Sequence, residues 1–233
     1  MKFISAGGGY TRNIVLRERL ERVEERIHHA LGRAGRTRPE ITLIAVTKKF
    51  PAEVIRQAYS LGLRFFGENY VQEFEGKHPA VSDLADAQFH LIGHLQSNKA
   101  RTAAELFQVI QTVDSEKLAR RLDQAGRPLE VMIEVKLSEE ASKSGAAPET
   151  LAELMETIRG CPNLRLTGLM TMPPWSEDAE VTRPYFRRLA ELARRHDLKK
   201  LSMGMSHDFE AAIEEGATHI RVGTALFGPR RKD

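Results

Sequence analysis

The 233-residue sequence has a single cysteine, a single tryptophan and no apolar run that approaches the ~18 residues of a membrane span. One cysteine cannot close an internal disulfide, and the Gly160-Cys-Pro162 setting of Cys161 gives no sign of an activated thiolate. A reducing cytoplasm is therefore the expected compartment, with no membrane partner. The opening Met1-Lys-Phe-Ile-Ser-Ala-Gly-Gly-Gly-Tyr10 carries one basic residue but no apolar stretch of secretory-signal length, so residues 1–11 read as a loose terminus. Neither G-x-G-x-x-G nor G-x-x-x-x-G-K-[ST] occurs, which argues against a dinucleotide or P-loop site. A large charge imbalance is also missing: 35 basic and 32 acidic residues leave a net charge of +3. The densest basic stretches, Arg183-Pro-Tyr-Phe-Arg-Arg188 and Pro229-Arg-Arg-Lys232, read as a solvated helix face and a polar tail, so no nucleic-acid partner is expected.

What is present is a rhythm. Apolar positions at Ile14, Leu16, Leu20, Val23, Ile27 and Leu31 follow a helical period from residue 12 to 34, and Gly32 and Gly35 close that stretch. Short apolar runs then recur at 41–47, 63–67, 88–92, 107–112, 129–135, 164–169, 199–203 and 218–222, separated by amphipathic helical patterns. Continuous runs such as Leu43-Ile-Ala-Val46 suit strands covered on both faces. Strands each followed by a helix, with no linker or composition break, predict one α/β domain over residues 1–233, a (β/α)8 TIM barrel preceded by an extra N-terminal helix. An open doubly wound sheet is the alternative, and its usual glycine-rich first turn is replaced here by Thr47-Lys-Lys-Phe-Pro51.

A barrel collects its working residues at the C-terminal ends of the strands. The first apolar run ends at Lys48, the second at Gly67-Glu-Asn69, and the third carries His90 and leads into Gly93-His-Leu-Gln96. The seventh leads into Ser202-Met-Gly-Met-Ser206, and the last ends at Arg221 before Gly223-Thr224. A lysine closing a buried strand is a candidate covalent amine, because desolvation favours its unprotonated form. Strand alternation sends Lys48 and Lys49 in opposite directions, so only one of them faces the barrel mouth. In Arg221-Val-Gly-Thr224, Gly223 allows close backbone approach, and the turn amides and the Thr224 hydroxyl can donate to phosphate oxygens. Ser206 adds a hydroxyl, although before Asp208 and Glu210 it also reads as an ordinary helix cap. His90 and His94 do not share a face in a strand-to-loop setting and have no completing ligand, so no metal site is expected.

Ala45-Val-Thr-Lys48, Phe66-Gly-Glu-Asn-Tyr-Val-Gln-Glu73, Phe89-His-Leu-Ile-Gly93, Leu95-Gln-Ser-Asn-Lys99, Ser142-Lys-Ser-Gly145, Gly168-Leu-Met170, Leu201-Ser-Met-Gly-Met-Ser206 and Arg221-Val-Gly-Thr-Ala-Leu-Phe-Gly228 occur in this order along nearly the whole chain. In these motifs the sequence resembles the pyridoxal 5′-phosphate homeostasis protein family, also called YggS or the proline synthetase co-transcribed homologue. The resemblance implies a barrel similar to the N-terminal domain of alanine racemase, with pyridoxal phosphate as cofactor in a Schiff base on Lys48 rather than Lys49. It implies that Ser206, Gly223 and Thr224 hold the phosphate, that Asn69 and His90 line the ring pocket, and that Arg221 faces the pyridine nitrogen.

A guanidinium cannot accept a proton, so at that position it keeps the pyridine nitrogen unprotonated and the ring a poor electron sink. The resemblance thus implies a non-catalytic carrier that buffers pyridoxal phosphate and delivers it to dependent apoenzymes. The alternative is a monomeric racemase-like enzyme of weak activity. Alanine racemases draw a second base from a C-terminal β-domain across a dimer, and the sequence ends at Asp233 without one, so a monomer is expected. Two lysines stay open. Lys136 stands where relatives usually place a small polar residue, and Lys143 reads as a solvated loop residue with a secondary cofactor contact as its alternative.

Overall fold

The computed structural model describes residues 7–138 and 144–229. Eight parallel strands close in sequence order into a barrel, β1 Thr42–Val46, β2 Phe65–Glu68, β3 Gln88–Leu91, β4 Val109–Val113, β5 Leu129–Glu134, β6 Leu164–Met170, β7 Lys200–Met205 and β8 His219–Val222. The ring is shut by β1 and β8, with Thr42 beside His219 and Ala45 beside Val222. Helices α1 Gly7–Ala34, α2 Ala52–Ser60, α3 Val71–Lys77, α4 Ala100–Leu106, α5 Glu116–Asp123, α6 Leu151–Arg159, α7 Arg183–Arg195, α8 Phe209–Glu214 and α9 Thr224–Phe227 complete the order. None of the described helices is long and apolar enough to cross a membrane.

The unbroken apolar runs are explained by burial on two sides. Leu43 and Ala45 join the apolar layer between the strands and the helices. Ile44 and Val46 are equally buried but stay outside that layer, as strand alternation requires of residues facing the barrel interior. Val109, Met132 and Met170 are buried in the same way. Close strand packing demands a glycine at 168, where a Cβ would lie 2.1 Å from the Lys200 carbonyl oxygen.

Not all of the interior is apolar. At the N-terminal end Glu130 pairs with Lys200 at 2.5 Å and Arg165 at 2.6 Å and accepts from the Thr167 hydroxyl at 2.9 Å. Above it lie buried His90, Gln111, Ser202 and Arg221.

The added N-terminal helix begins at Gly7, five residues before the periodic pattern at residue 12 gives it away, because glycines and Tyr10 carry no helical signal. Of the loose terminus expected over 1–11, residues 1–6 lie outside the described residues. Leu16, Val23, Ile27, Ala30 and Leu31 form the buried stripe of α1. The helix is tied to the C-terminal end of the barrel by Arg26, which pairs with Glu210 at 2.9 Å, donates to the Ser206 carbonyl at 3.2 Å and covers the Phe209 ring at 4.3 Å.

Candidate functional site

The polar residues on the C-terminal rim are held in place by the strand ends beneath them. β1 stops at Val46, and the chain turns through Thr47-Lys48-Lys49 with Lys49 in the left-handed region at φ 62°. Buried charges pin this turn. Lys77, at the end of α3, donates to the Thr47 carbonyl at 3.0 Å and to both carboxylate oxygens of Glu68 at 3.0 and 3.1 Å. The Thr47 hydroxyl donates to Glu68 at 2.8 Å. Glu73, paired with Lys77 at 2.5 Å, accepts from the Lys49 amide at 2.6 Å. Lys48 is thus fixed by its neighbours on both sides. Burial raises the Glu68 pKa, and Lys77 and Thr47 oppose that shift.

Lys48 lines a cavity of about 210 Å³ together with Val46, Asn69, Ile92, Met172, Trp175, Met205, Ser206, His207, Arg221, Gly223 and Thr224. Six of the seven predicted site residues therefore meet in one place, and Lys49 is exposed outside it. The seventh, His90, is buried in the interior with its Nδ1 2.9 Å from Gln111 Nε2 and is absent from the lining. Two residues further on, Ile92 takes the lining position on that side. Burial, with the nearby His219 and Lys200, draws His90 down to about 3, so its imidazole is neutral.

Asn69 sits where its backbone meets Gly93, at which a Cβ would come 2.3 Å from the Asn69 carbonyl oxygen. Its side-chain Oδ1 is buried without a hydrogen-bond partner. Across the cavity the Ser206 hydroxyl accepts from the amides of Gly223 and Ala225, each at 3.2 Å, so hydroxyl and turn amides converge on one point. A Cβ at Gly223 would stand 3.4 Å from Val46 Cβ, and its absence lets the turn lie close to the end of β1.

Arg221 is 3 % exposed and donates to Ser202 Oγ at 2.7 Å and the Thr171 carbonyl at 2.9 Å. Burial draws it down to about 10 against the opposing pull of the Asp208 and Glu134 carboxylates, which leaves it a cation at neutral pH. The site therefore offers an amine, a cluster of hydrogen-bond donors and a fixed positive charge around one small space.

A second hollow shares Met172, Trp175 and Met205 with the first and is lined by His94, Glu134, Lys136, Ser138 and Ser144. Lys136 thus faces the neighbouring hollow rather than the Lys48 cavity, and Lys143 lies outside the described residues. His94 is exposed, 3.6 Å from the Asp114 carboxylate, far from the interior setting of His90. Sequence reasoning missed the Glu68, Glu73 and Lys77 clamp, and also Met172, Trp175 and His207. The i, i+4 spacing of Glu73 and Lys77 was the available signal for part of the clamp. Trp175, 70 % exposed, comes from a loop with no pattern to mark it.

Residues 20–231 match the family described as alanine racemase, N-terminal domain. A pyridoxal phosphate homeostasis protein of Aquifex aeolicus is 46% identical over 226 residues, covering 92% of this chain and 98% of that protein. One of Pseudomonas aeruginosa is 48% identical over 219 residues, covering 91% and 95%. Among solved structures, PipY of Synechococcus elongatus PCC7942 with PLP bound is 40% identical, with a TM-score of 0.79, covering 91% of this chain and all of that one. The alanine racemase of Corynebacterium glutamicum, 18% identical with a TM-score of 0.68 over 94% of this chain and 61% of its own, shares the fold.

Proposed function

The chain belongs to the alanine racemase N-terminal domain family and, within it, to the pyridoxal phosphate homeostasis proteins, and from that premise we propose that it binds pyridoxal phosphate and serves in its homeostasis. The cavity fits such a group. Pyridoxal phosphate supplies an aldehyde that condenses with an amine, and a phosphate monoester on the neighbouring ring carbon. Lys48 supplies the amine, and the Ser206 hydroxyl, oriented by the Gly223 and Ala225 amides, forms the cradle for the phosphate with Gly223 and Thr224. Asn69 Oδ1, buried without a partner on the same lining, is a polar atom waiting for a donor.

The observation that carries this reading is the convergence of Lys48, Ser206, Gly223, Thr224 and a buried, charged Arg221 on one cavity of about 210 Å³. In it Lys48 holds the cofactor through a reversible Schiff base, and release by exchange or hydrolysis of that bond delivers the cofactor to dependent apoenzymes. Arg221 is held by Ser202 and Thr171 and cannot take up a proton, so it does not help the ring withdraw electrons. This supports a carrier without catalysis of its own.

The test is the absorption spectrum of the protein with pyridoxal phosphate, for the wild type and Lys48→Ala, followed by borohydride reduction and peptide mapping. A visible band lost in the variant, with the reduced adduct on Lys48, is expected. An adduct on Lys49 or Lys136 instead would remove Lys48 from the reading. Incubating the loaded protein with amino acids in deuterium oxide tests the carrier assignment, for which no exchange of the α-proton is expected.

A further inference from the structure

Beside the phosphate cradle stand two side chains that the reading above does not use. His207 lines the cavity with Ser206, Gly223 and Thr224. Asp208, next in sequence, is 1 % exposed. Its Oδ1 accepts from the Met205 amide at 2.6 Å, whereas its Oδ2 is buried without a hydrogen bond. The nearest complementary atom is His207 Nε2 at 3.4 Å, which is itself buried and without a hydrogen bond.

Leaving a buried carboxylate oxygen without a donor is costly, and a proton on His207 Nε2 supplies one. That demand fixes the imidazole with Nε2–H toward Asp208. With Nε2 turned to Asp208, Nδ1 is the ring nitrogen that remains to this cavity-lining residue. In the neutral ring Nδ1 presents a lone pair, and in the doubly protonated ring it presents an N–H donor. A phosphate monoester, dianionic above about pH 6, selects the protonated ring.

Charged groups approach the ring from several elements. Asp208 is the carboxylate against the ring, and Arg26 from α1, which reaches the Ser206 carbonyl, is paired with Glu210 of α8 at 2.9 Å. Arg221 from β8 interacts electrostatically with Asp208, Lys48 comes from β1, and the neutral Trp175 ring lies 6.1 Å from the imidazole.

We propose that His207, oriented by Asp208, is a further phosphate-binding residue that donates from Nδ1 and takes up a proton as the phosphate binds. The proposal rests on the cofactor reading above and adds to it a residue and a proton.

The experiment compares pyridoxal phosphate with pyridoxal, which has the same aldehyde but no phosphate, on the wild type, His207→Ala and His207→Gln. Binding is read from the visible band, and proton uptake from calorimetry in buffers of different ionisation heat. His207→Ala is expected to weaken pyridoxal phosphate about tenfold, the size of one charge-assisted hydrogen bond, and to leave pyridoxal unchanged. Proton uptake on binding pyridoxal phosphate to the wild type is expected to disappear in both variants. Equal weakening of the two ligands, no weakening of either, or uptake that survives both substitutions would overturn the proposal. Thermal unfolding identifies a variant that has merely loosened, since such damage moves both ligands together. A reduced Lys48 adduct alongside unchanged phosphate selectivity rejects His207 alone, whereas no adduct at Lys48 rejects the cofactor reading on which it stands.

Discussion

Replacing Lys77 by methionine tests whether the clamp beneath the Lys48 turn is held by charge. Methionine keeps most of the side-chain volume and removes the ammonium that faces Glu68, Glu73 and the Thr47 carbonyl. Glu68 is fully buried and keeps only the Thr47 hydroxyl at 2.8 Å. Truncating one partner of a buried pair costs about 3–5 kcal/mol, a large part of the roughly 5–15 kcal/mol that stabilises a domain. The loss depends on pH. Burial already holds the Glu68 pKa above its ordinary value, and without Lys77 it rises further. A carboxyl whose pKa is higher in the folded than in the unfolded state contributes stability at low pH and loses it as pH climbs through the folded value. The deficit in urea unfolding is therefore expected to be smaller near pH 5 than near pH 8. Adding Glu68→Gln to Lys77→Met should recover part of it, because the stranded charge is gone. A deficit below about 1 kcal/mol, as for an exposed pair, or one that does not change with pH would refute the reasoning.

Three further outcomes follow from the same geometry. Burial first, and then the Asp114 charge, push Glu134 up to about 7, so the wild type should lose about 3 kcal/mol as pH rises from the ordinary carboxylate range through neutrality. Glu134→Gln should flatten that slope in denaturant titrations at a series of pH values. Gly93→Ala places a Cβ 2.3 Å from the Asn69 carbonyl oxygen. It should cost about 1–3 kcal/mol or more in unfolding free energy and weaken pyridoxal phosphate binding, read from the visible band, by displacing Asn69. Cys161 is buried, and burial raises its thiol pKa. A thiol reagent should leave it untouched in the native protein and titrate one equivalent after denaturation.

The barrel was legible because two-sided burial writes continuous apolar runs. The expected strand at 129–135 is observed at Leu129–Glu134, and that at 164–169 at Leu164–Met170. The grouping of the candidate residues was legible as far as strand ends could be recognised, and less so in depth. His90 is the third residue of β3, and position on a short strand does not show how far below the mouth its side chain lies. The structure places it in the interior on Gln111 and gives the lining to Ile92. Alternation left Lys48 and Lys49 equivalent, because that rule assumes an extended strand. The strand has ended by then, and the direction is set by a left-handed Lys49 and by Glu73 and Lys77 from more than twenty residues away. Contacts of that separation leave no period in the sequence.

The direction of the charge at the centre of the site is likewise set from the interior of the barrel. Arg221 spends one donor on Ser202 Oγ. With that lone pair used, the single Ser202 proton goes to Gln111 Oε1 at 2.6 Å, which turns the amide NH₂ of Gln111 toward His90 Nδ1. His90 is neutral, so its own proton lies on Nε2. Donation runs one way from Arg221 through Ser202 and Gln111 to His90, whose Nε2 is buried without a partner, and turning Ser202 or Gln111 would leave a further buried polar atom unpaired. The guanidinium is therefore fixed in direction by residues of β3, β4 and β7 that do not line the cavity, together with the Thr171 carbonyl after β6. Loops can change what enters this site, but redirecting its central charge requires changing the barrel interior.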